Sequence, residues 1–259
     1  MIRAVLATEF LKLRRCKVTW GTLGGLSMAP LGLSLFMWIL REPGRAAQLG
    51  LLGTKANLSG LEATGPAYLS TLTIVFGVGG MLLLPFIVAY LFGREYTEGT
   101  AKNMLALPVG RHWFVAAKLV VAAVWWFVLV VVVLAEAMLI GLTLGLPGFS
   151  AGMMVSSVGN ALLAAAISFL LVPVVAWITV VGRGYMGPIA FAIAGMALGN
   201  LFGKTGWAEF FPWSIVPLMI GMVGSPQTLP TASYVVLALT FIAGTAATIA
   251  TLRLADNAQ

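Results

Sequence analysis

Between Leu119 and Leu146 the chain carries one ionisable side chain, Glu136, in an otherwise apolar run. As a helix rising 1.5 Å per residue this run is about 42 Å long, more than the roughly 30 Å hydrocarbon core of a bilayer. It is read as a membrane span that tilts or projects. Composition agrees: 60% of residues are hydrophobic and 9% charged, against about 25% charged in a soluble domain. Too few charges remain to hydrate a water-facing surface, and disorder, which needs a chain poor in apolar residues, is excluded more firmly.

The net charge of +7 invites a nucleic-acid reading. No basic stripe is interleaved with a readable motif, and cytoplasmic loops of membrane proteins collect Lys and Arg anyway, so no nucleic-acid partner is expected. Cys16 is the only cysteine, which removes an intrachain disulfide and a cysteine metal cage. His112 is the only histidine, which removes multi-histidine metal sites and a Ser-His triad within the spans.

The hydropathy pattern predicts an all-α integral membrane protein, one transmembrane domain over 1–259, with six transmembrane helices at about 18–40, 71–92, 113–146, 153–181, 186–202 and 234–252. The first span follows a basic N-terminus, is too long for a signal peptide, and stops at Arg41-Glu42-Pro43. Residues 1–17 before it form an amphipathic interfacial helix with Ile2, Val5, Leu6, Phe10 and Leu13 on one face. Pro173 falls inside the fourth span, tolerable where neighbours or water satisfy the freed carbonyl. Ile215 to Val223 is about half the length needed to cross and is expected to be a short re-entrant or interfacial element before the last span.

Six spans place both termini on one side. Eleven of the fifteen basic residues then share the side of the N-terminus, and Arg41, Arg45, Lys55 and Lys204 lie opposite. The asymmetry predicts cytoplasmic termini.

The stretch Gly199 to Thr205 imitates a phosphate-binding loop, but only three residues separate Gly199 from Gly203, an apolar helix leads in, and the charge count places it outside. No other stretch offers such a loop, so the chain is not expected to hydrolyse ATP. Gly195, Gly199 and Gly203 recur every four residues and are expected to form a helix-packing face. Gly141 with Gly145 and Gly21 with Gly25 repeat the spacing.

Gly93 to Arg111 is the most informative segment. Thr100 can cap a short helix through Leu107, and Pro108 stops it. The pattern Arg94-Glu95-Tyr96-x-x-Gly99-Thr100-x-Lys102-x-x-Leu105-x-x-Pro108, followed by Arg111 and Lys118, resembles the ABC type-2 exporter permeases, nearest the branch of bacitracin and lantibiotic-immunity permeases. Glu9-x-x-Lys12-x-Arg14-Arg15 before the first span is similar to the same branch.

The resemblance implies a permease subunit that works as a dimer, with a second copy of itself or a homologous permease, and is driven by a separate ABC ATPase subunit. It implies a cytoplasmic coupling helix around Glu95 to Pro108, with Glu95, Tyr96, Gly99, Thr100, Lys102, Pro108 and Arg111 as coupling residues and Glu9, Lys12, Arg14 and Arg15 on the interfacial helix beside them. ATP and Mg belong to the ATPase, with no cofactor in this chain. Export direction, and a substrate that is an amphipathic peptide, drug or lipid, follow from the resemblance alone.

Two acidic residues stand apart. Glu9 falls between Val5 and Leu13 on the apolar stripe; it either pairs locally with Lys12 or reaches a basic group of the coupling segment or the ATPase. Glu136 lies roughly 16 Å of helix before the external turn at Pro147. Exposed to lipid there it would cost about 2.5–3.5 kcal/mol, so it either lines the translocation path or, protonated, bonds a backbone carbonyl or hydroxyl. The rival function is an ATP-independent secondary transporter or channel, which would usually place several ionisable groups at mid-membrane.

Overall fold

The computed structural model describes residues 2–51, 62–101, 109–224 and 228–254, and every element in these is a helix. They are α1 (Ile2–Arg14), α2 (Lys17–Arg41), α3 (Pro43–Gln48), α4 (Gly65–Thr97), α5 (Arg111–Leu144), α6 (Ala151–Phe169), α7 (Val172–Gly182), α8 (Met186–Phe202), α9 (Pro212–Met219) and α10 (Thr231–Leu254). Five stretches are long and apolar enough to cross a bilayer: α2, α4, α5, α6 with α7, and α10. The sixth expected span, α8, has 17 residues, about 25 Å of helix, and falls short of a full crossing by itself.

Several boundaries differ from the sequence expectation, each for a local reason; α4 begins at Gly65 rather than near residue 71, because the Thr64 hydroxyl caps it by accepting the Ala67 N–H. The second span runs on past Gly93 to Thr97, because Arg94 and Glu98 pair one helical turn apart at 2.9 Å and extend the helix through its charged end. It stops in a Schellman motif: Gly99 has φ +69°, its N–H reaches the Tyr96 carbonyl, and Thr100 N–H bonds the Glu95 carbonyl at 2.9 Å. Thr100 thus closes α4 from behind. The expected coupling helix from Thr100 to Leu107, with Lys102 and Pro108, lies largely outside the described residues.

The fourth span is two helices rather than one. Pro173 has no N–H to continue the ladder, and the chain turns through Leu170 and Leu171 before α7 begins. The break is packed by α10: Gly244 lies against the Pro173–Val174 backbone, and the Thr248 hydroxyl, 2.8 Å from the Gly244 carbonyl, comes within 3.3 Å of the Pro173 carbonyl. The element expected at Ile215–Val223 is α9, which starts at Pro212 and is buried from Ser214 to Met219.

The core runs along α4, α5, α6 and α7, with Trp126 of α5 fully buried and its indole N–H on the Ala165 carbonyl at 3.1 Å. On α1, the buried face holds Glu9 and Leu13, with Leu6 packed against the core, while Phe10 turns outward.

Direction along the bundle follows from the cross-links. Tyr185, after the left-handed turn at Arg183, meets Thr97 hydroxyl to hydroxyl at 2.7 Å. Trp177 Nε1 donates to Thr251 at 3.2 Å, so α10 runs parallel to α7. The C-terminal ends of α4, α7 and α10, the start of α5 and helix α1 therefore lie at one end. At the other, Arg41 donates to the Leu144 carbonyl at 2.6 Å and Gly65 N–H bonds the Pro147 carbonyl at 2.8 Å.

Candidate functional site

At the first of these ends, four charged side chains from three helices converge. Lys118, on the first turns of α5, donates to Glu95 Oε1 at 2.6 Å, to Glu9 Oε2 at 3.2 Å and to the Leu91 carbonyl. Its ammonium also lies 5.7 Å from the centre of the Phe92 ring. Lys12 donates to Glu9 Oε1 at 2.6 Å and to Glu95 Oε1 at 3.2 Å. Two lysines and two glutamates make the group neutral as a whole. Glu9, Glu95 and Lys118 are 3%, 4% and 3% exposed, so the pairs are shielded from water and salt.

Helical periodicity brings them there. Lys118 shares the buried face of α5 with Val115 and Ala122, each one turn away. Glu95 follows Val88, Leu91 and Phe92 down the buried face of α4, and Glu9 precedes Leu13 on α1. A charge on an apolar stripe is costly alone, so each must find an opposite partner. Lys12 stands at the rim, its side chain 31% exposed. Partial burial lowers its pKa, but the hydrogen bond to Glu9 and the charges of Glu9 and Glu95 outweigh that, and the ammonium titrates above the usual lysine value.

Glu9 makes the local pair with Lys12, and its other partner is Lys118 of α5, which lies beyond the coupling segment and was not among the expected contacts. Sequence reasoning grouped Glu95 with the coupling residues; its carboxylate turns inward, with Oε2 buried and without a hydrogen bond among the described residues. Tyr96 packs half-buried against the core. Gly99 and Thr100 are exposed, as are Arg14 and Arg15, and Arg111 opens α5 half-buried. The convergence of Glu9, Lys12, Glu95 and Lys118 was missed; the signal for it was three charges each lying on an otherwise apolar helical stripe.

The other expected site residues lie elsewhere. A β-carbon on Gly195 would meet the Trp213 ring at 2.7 Å, one on Gly199 would meet the Trp213 carbonyl, and one on Gly203 the Val223 side chain at 3.0 Å. This face of α8 therefore abuts α9 and the turn after it. Gly141 packs against Tyr68 and Phe149, whereas Gly21 and Gly25 face open space. Glu136 is half-buried on α5 and makes no hydrogen bond or ion pair among the described residues. Cys16 caps α2, its Sγ accepting the Val18 N–H at 3.1 Å.

Long apolar helices, packed into one bundle with the buried charge of the described residues gathered at one end, define a multi-pass membrane protein. Residues 5–199 match the family described as "ABC-2 family transporter protein", and the chain belongs to that family. It is 31% identical over 170 residues to the bacitracin transport permease protein BCRB of Bacillus licheniformis, an alignment covering 66% of this chain and 82% of that permease. The matched family region contains all four residues of the ion-pair cluster.

Proposed function

We propose that the chain is the permease subunit of an ATP-driven exporter, working as a dimer with a second permease copy and powered by a separate ABC ATPase that docks at the ion-pair end of the bundle. The observation that carries this is the cluster itself. Segment 98–110 leaves α4 three residues after Glu95 and returns in α5 seven residues before Lys118, and the Glu95–Lys118 pair ties both ends of the segment to each other and, through Glu9, to α1. A push on the segment is thereby delivered to three helices together. Glu98, Gly99 and Thr100, exposed at the tip of α4, are the contact residues on this reading, and Glu95 acts behind them as a positioning residue.

Basic side chains segregate by end as an inward-facing N-terminus requires. Arg94, Arg111, Lys118, Arg183 and Arg253 accompany α1, while Arg41, Arg45 and Lys204 lie opposite. Both termini are assigned to the cytoplasm, with α8 as the sixth membrane segment. The relative's name supports an amphipathic, peptide- or drug-like substrate. Glu136, which has no hydrogen bond or ion pair among the described residues, is proposed to face the translocation path.

The test is co-purification with a candidate ABC ATPase from the same organism, then ATP hydrolysis by the complex in lipid vesicles. Retention of the ATPase by the wild-type permease and loss of retention with Glu98→Lys and Thr100→Arg together is expected. ATPase retention unchanged by both substitutions would overturn the docking assignment.

A further inference from the structure

At the end of the bundle opposite the ion pairs, a cavity of about 530 Å³ opens between α4, α6, α9 and α10. Its size falls in the range of about 300–1,000 Å³ typical of small-molecule sites. Its lining includes apolar side chains, among them Leu69, Leu163 and Met219, and also hydroxyls and an amide from Ser70, Thr73, Ser157, Asn160 and Tyr234. No charged side chain among the described residues lines it.

The polar groups of the lining have a definite hydrogen-bonding character. Ser70 and Thr73 give their hydroxyl protons to the Ala67 and Leu69 carbonyls of their own helix, at 3.0 and 3.4 Å, which leaves their oxygens as acceptors. Ser157, Asn160 and Tyr234 make no side-chain hydrogen bond among the described residues, so the Asn160 amide offers donors as well as an acceptor. Asn160 lies nine residues into α6, about 14 Å along the helix from its start. An amide at that depth in a membrane is costly unless something polar meets it. Glu136 is not part of this lining; α4 presents Ser70 and Thr73 to the cavity and Tyr68 to α5, where Tyr68 donates to the Ala137 carbonyl at 2.8 Å.

We infer that this cavity binds an uncharged amphiphile, a molecule with an amide or alcohol head and an alkyl or ring body. The head supplies a carbonyl to the Asn160 amide and an N–H or O–H to the hydroxyl oxygens, and the body lies on Leu69, Leu163 and Met219. A fixed charge is excluded because nothing in the lining neutralises it. The inference deepens the exporter reading by naming a substrate class, and it rests on that reading only for the word substrate.

The test uses the full-length permease, without any ATPase, in phosphatidylcholine vesicles. The probe is the 2-hydroxyethyl amide of a diazirine-bearing sixteen-carbon fatty acid; a trimethylammonium amphiphile with the same chain is the control. Photolabelling by the neutral probe is expected on peptides containing Ser157–Leu163 and Tyr234, with labelling by the cationic control several-fold weaker. Asn160→Leu, at an exposed position, should cut labelling roughly two- to tenfold, the loss of one or two hydrogen bonds. Thr73→Trp, which fills the cavity, should remove it. Competition by the unlabelled sixteen-carbon amide identifies a ligand entering from the bilayer, competition by its six-carbon homologue one entering from water, and either supports the site. Equal labelling by neutral and cationic probes, labelling undiminished in Asn160→Leu, or competition by neither amide overturns it. Because no ATPase is present, a bound probe in a permease that fails to capture an ATPase leaves the cavity standing and removes the exporter; the reverse pattern removes the cavity alone.

Discussion

Replacing Lys118 with methionine tests whether the ion-pair cluster acts as a unit. The substitution keeps the length and apolar stem of the side chain but deletes the contacts at 2.6 Å to Glu95 and 3.2 Å to Glu9, together with the bond to the Leu91 carbonyl. A neutral group of four becomes a buried group with one excess negative charge. Removing one partner of a buried pair costs about 3–5 kcal/mol, chiefly because the other is left uncompensated. Lys12 remains, 3.2 Å from Glu95, but it sits at the wetter rim and already serves Glu9, so a value near the lower bound, about 3 kcal/mol, is expected.

Adding Glu95→Gln restores neutrality, with Glu9 and Lys12 still paired at 2.6 Å. The double variant should therefore be more stable than Lys118→Met alone, with a coupling of at least about 2 kcal/mol between the two sites. Cys16 supplies the assay. It is the only thiol in the chain, it is buried, and it sits at the junction between α1 and α2, so its maleimide reactivity reports release of α1. Where opening and closing are fast relative to labelling, 3 kcal/mol corresponds to a roughly hundredfold faster reaction. Equal labelling rates in wild type and Lys118→Met, or a double variant that loses the sum of the two single effects, would refute the claim that these charges hold one another in place.

The remaining predictions concern separate features. Gly199→Ala drives a β-carbon into the Trp213 carbonyl, a backbone atom with little freedom, and should cost about 1–3 kcal/mol in detergent unfolding, while Gly25→Ala, facing open space, should be neutral or gain up to about 1 kcal/mol from helix propensity. Gly99→Val places a β-branched residue at φ +69° and should destabilise the end of α4 by about 1–2 kcal/mol, seen as faster proteolysis near residue 100; Gly99→Asn should recover most of the loss. Glu136→Gln removes a charge that has no ion-pair partner among the described residues, so stability should change by less than about 0.5 kcal/mol. On the proposed pathway role, that variant loses substrate transport while basal ATP hydrolysis in the complex is retained, and unaltered transport at every pH would remove Glu136 from the path.

Long apolar runs are legible because backbone groups in lipid can be satisfied only within a helix, so span position follows from hydropathy. That is why α2, α5 and α10 begin and end within three residues of their expected bounds. The end of α4 was not legible: Arg94 to Glu98 reads as a loop by composition, and it stays helical through an ion pair within the helix and a glycine stop. The break before Pro173 is signalled by the proline, but its closure depends on the packing of α10, where Thr248 is seventy-five residues away. The site shows the same division. Periodicity placed Glu9 on the apolar face of α1, which was sufficient to demand a cationic partner. It could not choose Lys118, one hundred and nine residues on, because that choice is made by the packing of α1 against α5.

That packing gives the cluster its mechanical sense. Buried ion pairs add little stability over well-packed apolar groups of similar volume, so stability alone does not account for four charges at this junction. Apolar surfaces attract without direction. Charged hydrogen bonds at 2.6–3.2 Å have both distance and direction, and they fix the registers of α1, α4 and α5 relative to one another. Of the three, α4 reaches farthest: Glu95 in the cluster and Thr73 on the cavity wall lie on one helix, about 33 Å apart. Between them stands Pro85, buried, where the missing N–H removes one rung of the ladder and bending is easiest. On the proposed docking of an ATPase at the cluster end, a push there would move the lower part of α4 together with α1 and α5, and the upper part would respond through bending at Pro85 before the wall of the cavity is reached.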